Sequence, residues 1–323
     1  MKGIVCSDPH VGRFKYGKIT ETGNDTRTED VLRGLDETID YAIKNKAEVY
    51  VVAGDFYHVK KPADIYKKML ADKFEKILDA KIELFLLVGN HDQGKTSAHN
   101  LSELKEISSQ IPLLHIVETP EVFEFKDAEL YMLPYVNRYD LNISKEDFPK
   151  YQLEQIRKFS KQASKNSKLH YFFGHFGTNL SKSGGSFDLG TLSDLEDSEI
   201  VNLKEFDKKI WTNVYLGHIH KHQILNDFCK HVGSTARVDF GEELEEKGFY
   251  CFENKTDKFI EINDRQFKTL DLNLFVDNVR KEMEKFCNDI QDIDLKQAIT
   301  RLRIKIKTKD RKLIKFDALE TYL

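Results

Sequence analysis

Leu84-Phe85-Leu86-Leu87-Val88-Gly89-Asn90-His91-Asp92 is an apolar run that stops abruptly on a glycine and three polar side chains. Five apolar residues are too few for a buried helix and enough for a strand covered on both faces. The same pattern recurs upstream, where Ile4-Val5-Cys6 leads into Asp8-Pro9-His10, and Val49-Tyr50-Val51-Val52-Ala53 into Gly54-Asp55 with His58 close behind. Downstream, Leu169-His170-Tyr171-Phe172-Phe173 leads into Gly174-His175, and Val214-Tyr215-Leu216 into Gly217-His218-Ile219-His220. Between the strands, helical spacing puts Leu32, Leu35, Ile39 and Ile43 on one face, and Ile65, Met69, Phe74 and Ile77 on another. Strands alternating with amphipathic helices specify an α/β fold. Ligand sites of open α/β sheets lie beyond the carboxyl ends of the strands, so the five polar clusters are expected to meet in one crevice.

The length of 323 residues allows one large domain with an appendage, or two domains. After Gly248-Phe249-Tyr250-Cys251-Phe252 and Phe259-Ile260-Glu261-Ile262 the α/β alternation stops, which places a boundary near Asn263 and divides the chain into 1–262 and 263–323. The second part reads as strand (about 265–272), helix (about 273–290) and strand (about 299–307), and no internal repeat is present. Two stretches, 11–24 and 177–190, read as mobile loops. A net charge of −4 excludes a wholesale basic coat for nucleic acid or an anionic membrane, so any polyanion must be gripped locally. With 40% hydrophobic residues and only 6 prolines, collagen-like and disordered classes are excluded. No stretch approaches the roughly 18 apolar residues of a membrane span. Met1-Lys2-Gly3-Ile4-Val5-Cys6-Ser7-Asp8 meets an acidic residue too soon for a secretory signal, so an intracellular, cytoplasmic chain is expected. Cys6, Cys229, Cys251 and Cys287 are scattered, which signals neither a disulfide framework nor a thiolate metal site.

The strand-end residues are Asp8, His10, Asp55, His58, Asn90, His91, His175, His218 and His220, and they include six of the 11 histidines. Oxygen and imidazole ligands without thiolate suit a borderline-to-hard divalent ion such as manganese, iron or zinc. The inventory is large enough for two ions with one bridging ligand. Alternation along an extended strand end would put Asp8 with His10, and His218 with His220, on one face. Gly54, Gly89, Gly174 and Gly217 are expected to let backbone approach the ions. Two ions roughly 3.5–4 Å apart activate water and bind phosphate oxygens, so the expected reaction is hydrolysis of a phosphate ester. His99, His115, His170, His222 and His231 are expected to be structural, with His222 and His231 close enough to line the crevice. Asp92 is expected to support its loop, and Cys6 to be a small core residue.

Taken in order, Asp8-x-His10, Gly54-Asp55-x-x-His58, Gly89-Asn90-His91-Asp92, Gly174-His175 and Gly217-His218-x-His220 resemble the calcineurin-like metallophosphoesterases. Three features make the chain similar to the SbcD-type nucleases of double-strand-break processing within that superfamily. These are His58, His91-Asp92, and Gly233-Ser234-Thr235-Ala236-Arg237 followed by Phe240-Gly241-Glu242 and Lys247-Gly248-Phe249. The resemblance implies an αββα sandwich of mixed sheets over 1–262, with 263–323 as the start of a small α+β DNA-capping domain. By motif position, it implies that Asp8, His10, Asp55 and His220 hold one ion, while Asp55, Asn90, His175 and His218 hold the other, with manganese the expected metal. It leaves His91 to orient the scissile phosphate or protonate the leaving oxygen, and His58 to buttress it or touch the phosphate. Further implications are 3′ to 5′ exonuclease and single-strand endonuclease activity, a homodimer, and an SbcC-like coiled-coil ATPase partner. Because the chain stops soon after its basic strand, that last contact is expected to be weak or truncated, as in a phage-encoded relative.

Residues 296–315 carry nine Lys or Arg against Asp310. Arg301, Arg303, Lys305, Lys307 and Lys309 alternate with Leu302, Ile304 and Ile306, which describes either a lysine-protected edge strand or a phosphate-tracking surface. Arg13, Lys15 and Lys18 are the corresponding DNA-contact candidates of the 11–24 loop. A phosphatase or cyclic-nucleotide phosphodiesterase, and a scaffold without catalysis, are the competing functions on this fold.

Overall fold

The computed structural model describes the chain except for residues 13–14, 22, 94–98, 137–140, 145–146, 183–199, 276–278, 292–294, 296 and 309–323. The first half alternates strictly: β1 (Lys2–Cys6), α1 (Thr26–Lys44), β2 (Val49–Val52), α2 (Asp64–Asp79), β3 (Glu83–Leu87), α3 (Ser102–Ser108) and β4 (Leu114–Val117). The chain then builds a second sheet from β5 (Glu121–Glu124), β6 (Ala128–Leu133), β7 (Leu169–His175), β10 (Asn213–Gly217), β11 (Gln223–Ile224) and β12 (Cys229–His231), with α4 (Phe148–Ala163) between β6 and β7. A short pair, β8 (Gly177–Thr178) and β9 (Ile200–Val201), follows β7. β13 (Gly248–Glu253) and β14 (Thr256–Glu261) return to the first sheet.

In the first sheet the order is β14-β13-β1-β2-β3-β4; in the second it is β11-β12-β10-β7-β6-β5. The strands that carry the polar clusters pair in parallel, with Val5 opposite Val51, Val52 opposite Leu86, and Leu216 opposite Gly174. Parallel pairing puts their carboxyl ends on the same edge of each sheet. Both sheets are mixed, since β13 joins β1, and β5 joins β6, antiparallel.

Alternate residues of each strand serve different layers. Ile4, Cys6, Tyr50, Val52, Leu84 and Leu86 pack under α1 and α2, while Val5, Val49, Val51, Phe85 and Leu87 meet Tyr171, Phe173 and Tyr215 of the other sheet. On the far side Tyr131, Phe172, Val214 and Leu216 pack with Ile156 and Phe159 of α4 and with Trp211. This four-layer αββα arrangement explains why the strands read as continuous apolar runs. Each fully buried aliphatic or aromatic side chain contributes roughly 1.5–3 kcal/mol.

Helix α1 starts where Asp25 accepts from the N–H groups of Arg27 (2.9 Å) and Thr28 (3.3 Å). Its buried stripe is Val31, Leu32, Leu35, Ile39 and Ala42, and Ile43 in the last turn is left exposed. In α2 the buried line is Leu70, Phe74 and Ile77. Ile65, nine residues before Phe74, points to the opposite side at about 3.6 residues per turn and is exposed, which corrects its assignment to the core face. No described helix is long and apolar enough to cross a membrane.

Beyond the two sheets, β15 (Phe267–Asn273) and β16 (Ile299–Lys305) form a parallel pair, with α5 (Val279–Gln291) in the crossover. The strand, helix and strand expected after Asn263 are all present. Of the 11–24 loop, Lys18 and Thr26 exchange hydrogen bonds, and Gly23 N–H donates to Thr20 O at 2.9 Å. Residues 183–190 of the other expected loop lie outside the described residues.

Candidate metal centre

The loops after β1, β2 and β3 meet those after β7 and β10 in one place. His175 is still the last residue of β7, but most of the other ligands do not sit on extended strand ends. Asp8 (φ 49°), His10 (φ 47°), Asp55 (φ 55°) and His218 (φ 80°) are all left-handed, a conformation that costs an ordinary residue roughly 1–2 kcal/mol and is concentrated at functional sites. The simple alternation rule therefore fails here. Asp8 and His10 still come together, but His218 and His220 separate into different groups.

The first group is Asp8, His10 and His220; the second is Asp55, His175 and His218, with the ligand atoms of each group within 4.8 Å of one another. His220 Nε2 lies 2.9 Å from His10 Nε2. Asn90 Oδ1 completes the second group, 2.9 Å from both His175 Nε2 and His218 Nδ1. Asp55 stands between the groups. Its Oδ2 is 3.6 Å from His10 Nε2 and its Oδ1 is 3.4 Å from His175 Nε2. Seven residues named from the sequence thus converge, and one carboxylate divides its two oxygens between them.

The donor set fits a pair of divalent cations. Asp8, His10, Asp55 and His175 are at most 2% exposed, and carboxylate, amide and imidazole atoms are crowded there without thiolate. His10 Nδ1 is buried with no hydrogen-bond partner among the described residues, so no such bond fixes which ring nitrogen carries the proton. The electrostatics divide the group, keeping some rings charged and others neutral. Burial opposes a charge on His175, but Asp55 and Asp8 outweigh it and lift the ring to about 10. Burial would raise Asp55, yet His175, His91 and His10 hold it well below the usual carboxylate range. Burial depresses His10 far below its ordinary value, with His220 adding to the effect, and it takes His218 down to about 3 with help from His175.

A second ring of contacts holds these groups. Ser7 Oγ donates to Asp8 Oδ2 and to Ala53 O (3.1 Å), and His175 Nδ1 is 2.7 Å from the same carbonyl. The N–H of His218 donates to both Asp8 oxygens at 3.1 Å, and that of His91 to Asp55 Oδ1 at 2.8 Å. Asp92 supports its loop as expected, accepting from Asp55 N, Phe56 N and Gly89 N at 2.8–2.9 Å. Added Cβ atoms at Gly89 and Gly217 would collide with Asp55 and with Ala53 O, so these two glycines admit close strand ends. Gly174 is different: its neighbours are Phe172 and Phe176, which makes its role packing in the core rather than access to the ions.

His91 and His58 stand beside the groups. The His91 ring meets His10 edge-on at 4.9 Å between centroids, and His58 lies at 6.1 Å from His10. Burial, then His91 and His220, bring His58 down to about 4. The five histidines expected to be structural all have partners: His99 with Glu118, His115 with Glu83, His170 with Asn166, His222 with Tyr250, and His231 with Ser181.

Of the DNA-contact candidates, Arg13 lies outside the described residues, while Lys15, Lys18 and Lys305 are exposed. Arg301 has its guanidinium 4.3 Å over the Phe240 ring and donates to Thr269 Oγ1 at 3.0 Å. Arg303 makes a two-pronged pair with Asp271 at 2.8 and 2.7 Å. Two of the three basic side chains of β16 are thus engaged within the chain. The sequence reading missed Glu242 and Lys247 as individual actors, although it quoted both. Glu242 Oε1 is 2.8 Å from His220 Nδ1, and Lys247 Nζ is 2.8 Å from Glu242 Oε2. Both lie in the charged stretch Glu242-Glu243-Leu244-Glu245-Glu246-Lys247, where nothing local singles them out.

The profile of the calcineurin-like phosphoesterases matches residues 1–255. Exonuclease subunit 1 of Enterobacteria phage T4 is 21% identical over 312 residues, covering 90% of this chain and 84% of that one. The DNA double-strand break repair protein Mre11 of Saccharolobus solfataricus is 24% identical over 133 residues, 41% of this chain, and the match spans only 33% of that protein's length. Among solved structures, a dimetal phosphatase from Danio rerio superposes with a TM-score of 0.49 at 10% identity, covering 81% of this chain and 98% of that one, a likeness too loose to argue from.

Proposed function

The chain belongs to the calcineurin-like phosphoesterase family, and we propose that within it this protein is a two-metal DNA nuclease of the SbcD type. The observation that carries the chemistry is Asp55, one carboxylate facing both ligand groups. What favours DNA over other phosphate esters is similarity along 90% of the chain to a protein named as an exonuclease subunit. In this reading Asp8, His10, Asp55 and His220 hold one ion and Asp55, Asn90, His175 and His218 the other, with manganese the expected metal. Bound together, such ions supply an activated water and neutralise the non-bridging oxygens of the phosphate.

The remaining work falls to the chain itself. His91 belongs to neither group yet lies against His10, so its imidazole is available to steady the scissile phosphate and to give a proton to the departing 3′ oxygen. His58, half-buried and held neutral, buttresses that ring or touches the phosphate. Residues 263–323 serve as a DNA-capping unit. Lys15, Lys18 and Lys305, with Arg13, Arg301 and Arg303, track the duplex backbone and give an acidic protein its local grip. The working assembly is a homodimer with an SbcC-like coiled-coil ATPase, trimming duplex ends 3′ to 5′ and cutting single strands.

The test is manganese-dependent digestion of end-labelled duplex DNA beside a chromogenic phosphomonoester. Shortened DNA, abolished by Asp55→Asn together with loss of bound metal, is the expected result. Turnover of the phosphomonoester with intact DNA would make the protein a phosphatase instead.

A further inference from the structure

A 3₁₀ turn, Phe240–Glu242, stands beside the metal centre and touches it through one side chain. Glu242 is completely buried, with Oε1 2.8 Å from His220 Nδ1. Its Oε2 accepts from Val238 N–H at 3.1 Å and from the Lys247 ammonium at 2.8 Å. Lys247, also buried, reaches Glu245 Oε2 at 2.9 Å and donates to the main-chain carbonyl of His220 at 3.1 Å. One ammonium therefore holds both the carboxylate on the His220 ring and the backbone of the same histidine.

The turn is fixed from its other side by the appended strands. Glu243 accepts from Thr269 N–H at 2.7 Å and from Thr269 Oγ1 at 2.6 Å, both on β15. Phe240 packs against Phe267 of β15 at 4.9 Å and lies under the Arg301 guanidinium of β16. A buried ion pair adds little net stability over an apolar pair of the same volume. Its distinctive product here is an oriented imidazole.

We propose that Glu242, held by Lys247, is a positioning residue for His220. It accepts a hydrogen bond from the His220 Nδ1–H, so that Nε2 turns its lone pair toward Asp8 and His10, and the turn anchored on β15 fixes where the ring stands. The two ligand groups are thereby unequal. His220 is backed by a carboxylate and His175 by a neutral carbonyl, that of Ala53. Glu242 governs the ion at Asp8, His10 and His220 and leaves the ion at Asp55, His175 and His218 largely alone.

This inference rests on the reading of the two groups as a metal centre, and a binding measurement separates the two. Metal-free protein is titrated with Mn²⁺ while free ion is followed by electron paramagnetic resonance. Wild type should take up two ions. Glu242→Ala should weaken one of them by about 10–100-fold and leave the other within about twofold, and Glu242→Gln, which keeps an acceptor oxygen, should fall between. Two ions bound with neither affinity changed, or with both reduced together, would overturn the positioning role. A wild type that binds no ion would overturn the metal centre itself. Should the alanine variant not fold, imidazole ¹⁵N spectra of metal-free wild type decide, with the His220 signal identified by its loss in His220→Gln. A proton on Nδ1 is expected, and a proton on Nε2 refutes the proposal.

Discussion

Asp92 ties the loop after β2 to the loop after β3, and its removal should reveal what that tie contributes. Its Oδ2 accepts from Asp55 N (2.9 Å) and Gly89 N (2.8 Å), and its Oδ1 from Phe56 N (2.9 Å). Asp92→Ala leaves three buried N–H groups without an acceptor, which at ~2 kcal/mol each amounts to about 6 kcal/mol. A penalty is relieved at the same time. Burial first, and the Asp55 charge second, push the Asp92 carboxyl from the usual 3.8 up to about 7. That shift counts for roughly 4 kcal/mol against the charged form. The alanine variant should therefore lose about 2 kcal/mol at neutral pH. Asp92→Asn places its oxygen where Oδ2 stands, keeps two of the three bonds and sheds the same penalty, so it should be at least as stable as the parent at pH 8. The sign follows from linkage: a native pKa above the unfolded one gives stability that is full below about 3.8 and is lost as pH rises through about 7. The parent should accordingly regain ground on the asparagine variant at pH 5. Urea unfolding of the chelator-treated chain, followed by the single tryptophan, Trp211, buried in the second sheet's core, gives the midpoints. Equal midpoints for the two variants at pH 8, or an alanine variant more stable than the asparagine one, would refute the reasoning.

Three further outcomes follow from the geometry. His91→Ala should retain both ions, measured by metal analysis, while cleavage slows on the order of 10²–10⁴-fold; loss of metal would reassign His91 as a ligand. Gly217→Ala drives a methyl into the Ala53 carbonyl that also receives His175, so it should cost about 1–3 kcal/mol in an unfolding titration and weaken ion uptake. An unchanged pair of values would show that the strand ends can part without harm. Charge removal at Arg301, Arg303 and Lys305 should lower DNA affinity and flatten its salt dependence, with Lys305 responsible for most of the change because Arg303 is paired with Asp271 and Arg301 is stacked on Phe240. An identical salt slope would leave β16 as a solvated edge.

The strands and the identity of the metal-type ligands were legible because both are local properties. An apolar run followed by glycine and a ligand residue needs no knowledge of the rest of the chain. Backbone conformation at the ligands was not legible. The left-handed Asp8, His10 and His218 go with long-range contacts such as His218 N–H to Asp8, 210 residues apart, and although Asp and His enter that region more readily than most residues, the sequence does not say which of them do. The division of His218 and His220 between two groups was implied by the order of the motifs and not by strand alternation. Ile65 was misplaced because apolar character alone does not say which side of a helix meets a sheet. Glu242 and Lys247 escaped notice because their meaning depends on a turn that folds under a histidine 22 positions earlier.

The position of β1 has a consequence for how the molecule is made. It is made before every other strand of the two sheets, yet in the finished sheet it lies between β2 and β13, and β13 begins only at Gly248. Throughout most of synthesis one edge of β1, carrying Ile4 and Val5 that end wholly buried, has no neighbour and offers its N–H and C=O groups to any passing strand. Folding dominated by such distant pairings is slow and leaves nascent chains open to aggregation. The metal ligands mature on the same schedule, since His10 waits for His220 before its group can close. Polypeptides that stop short of β13 should therefore accumulate as aggregates, while those that reach β14 acquire the sheet and the centre in one late step.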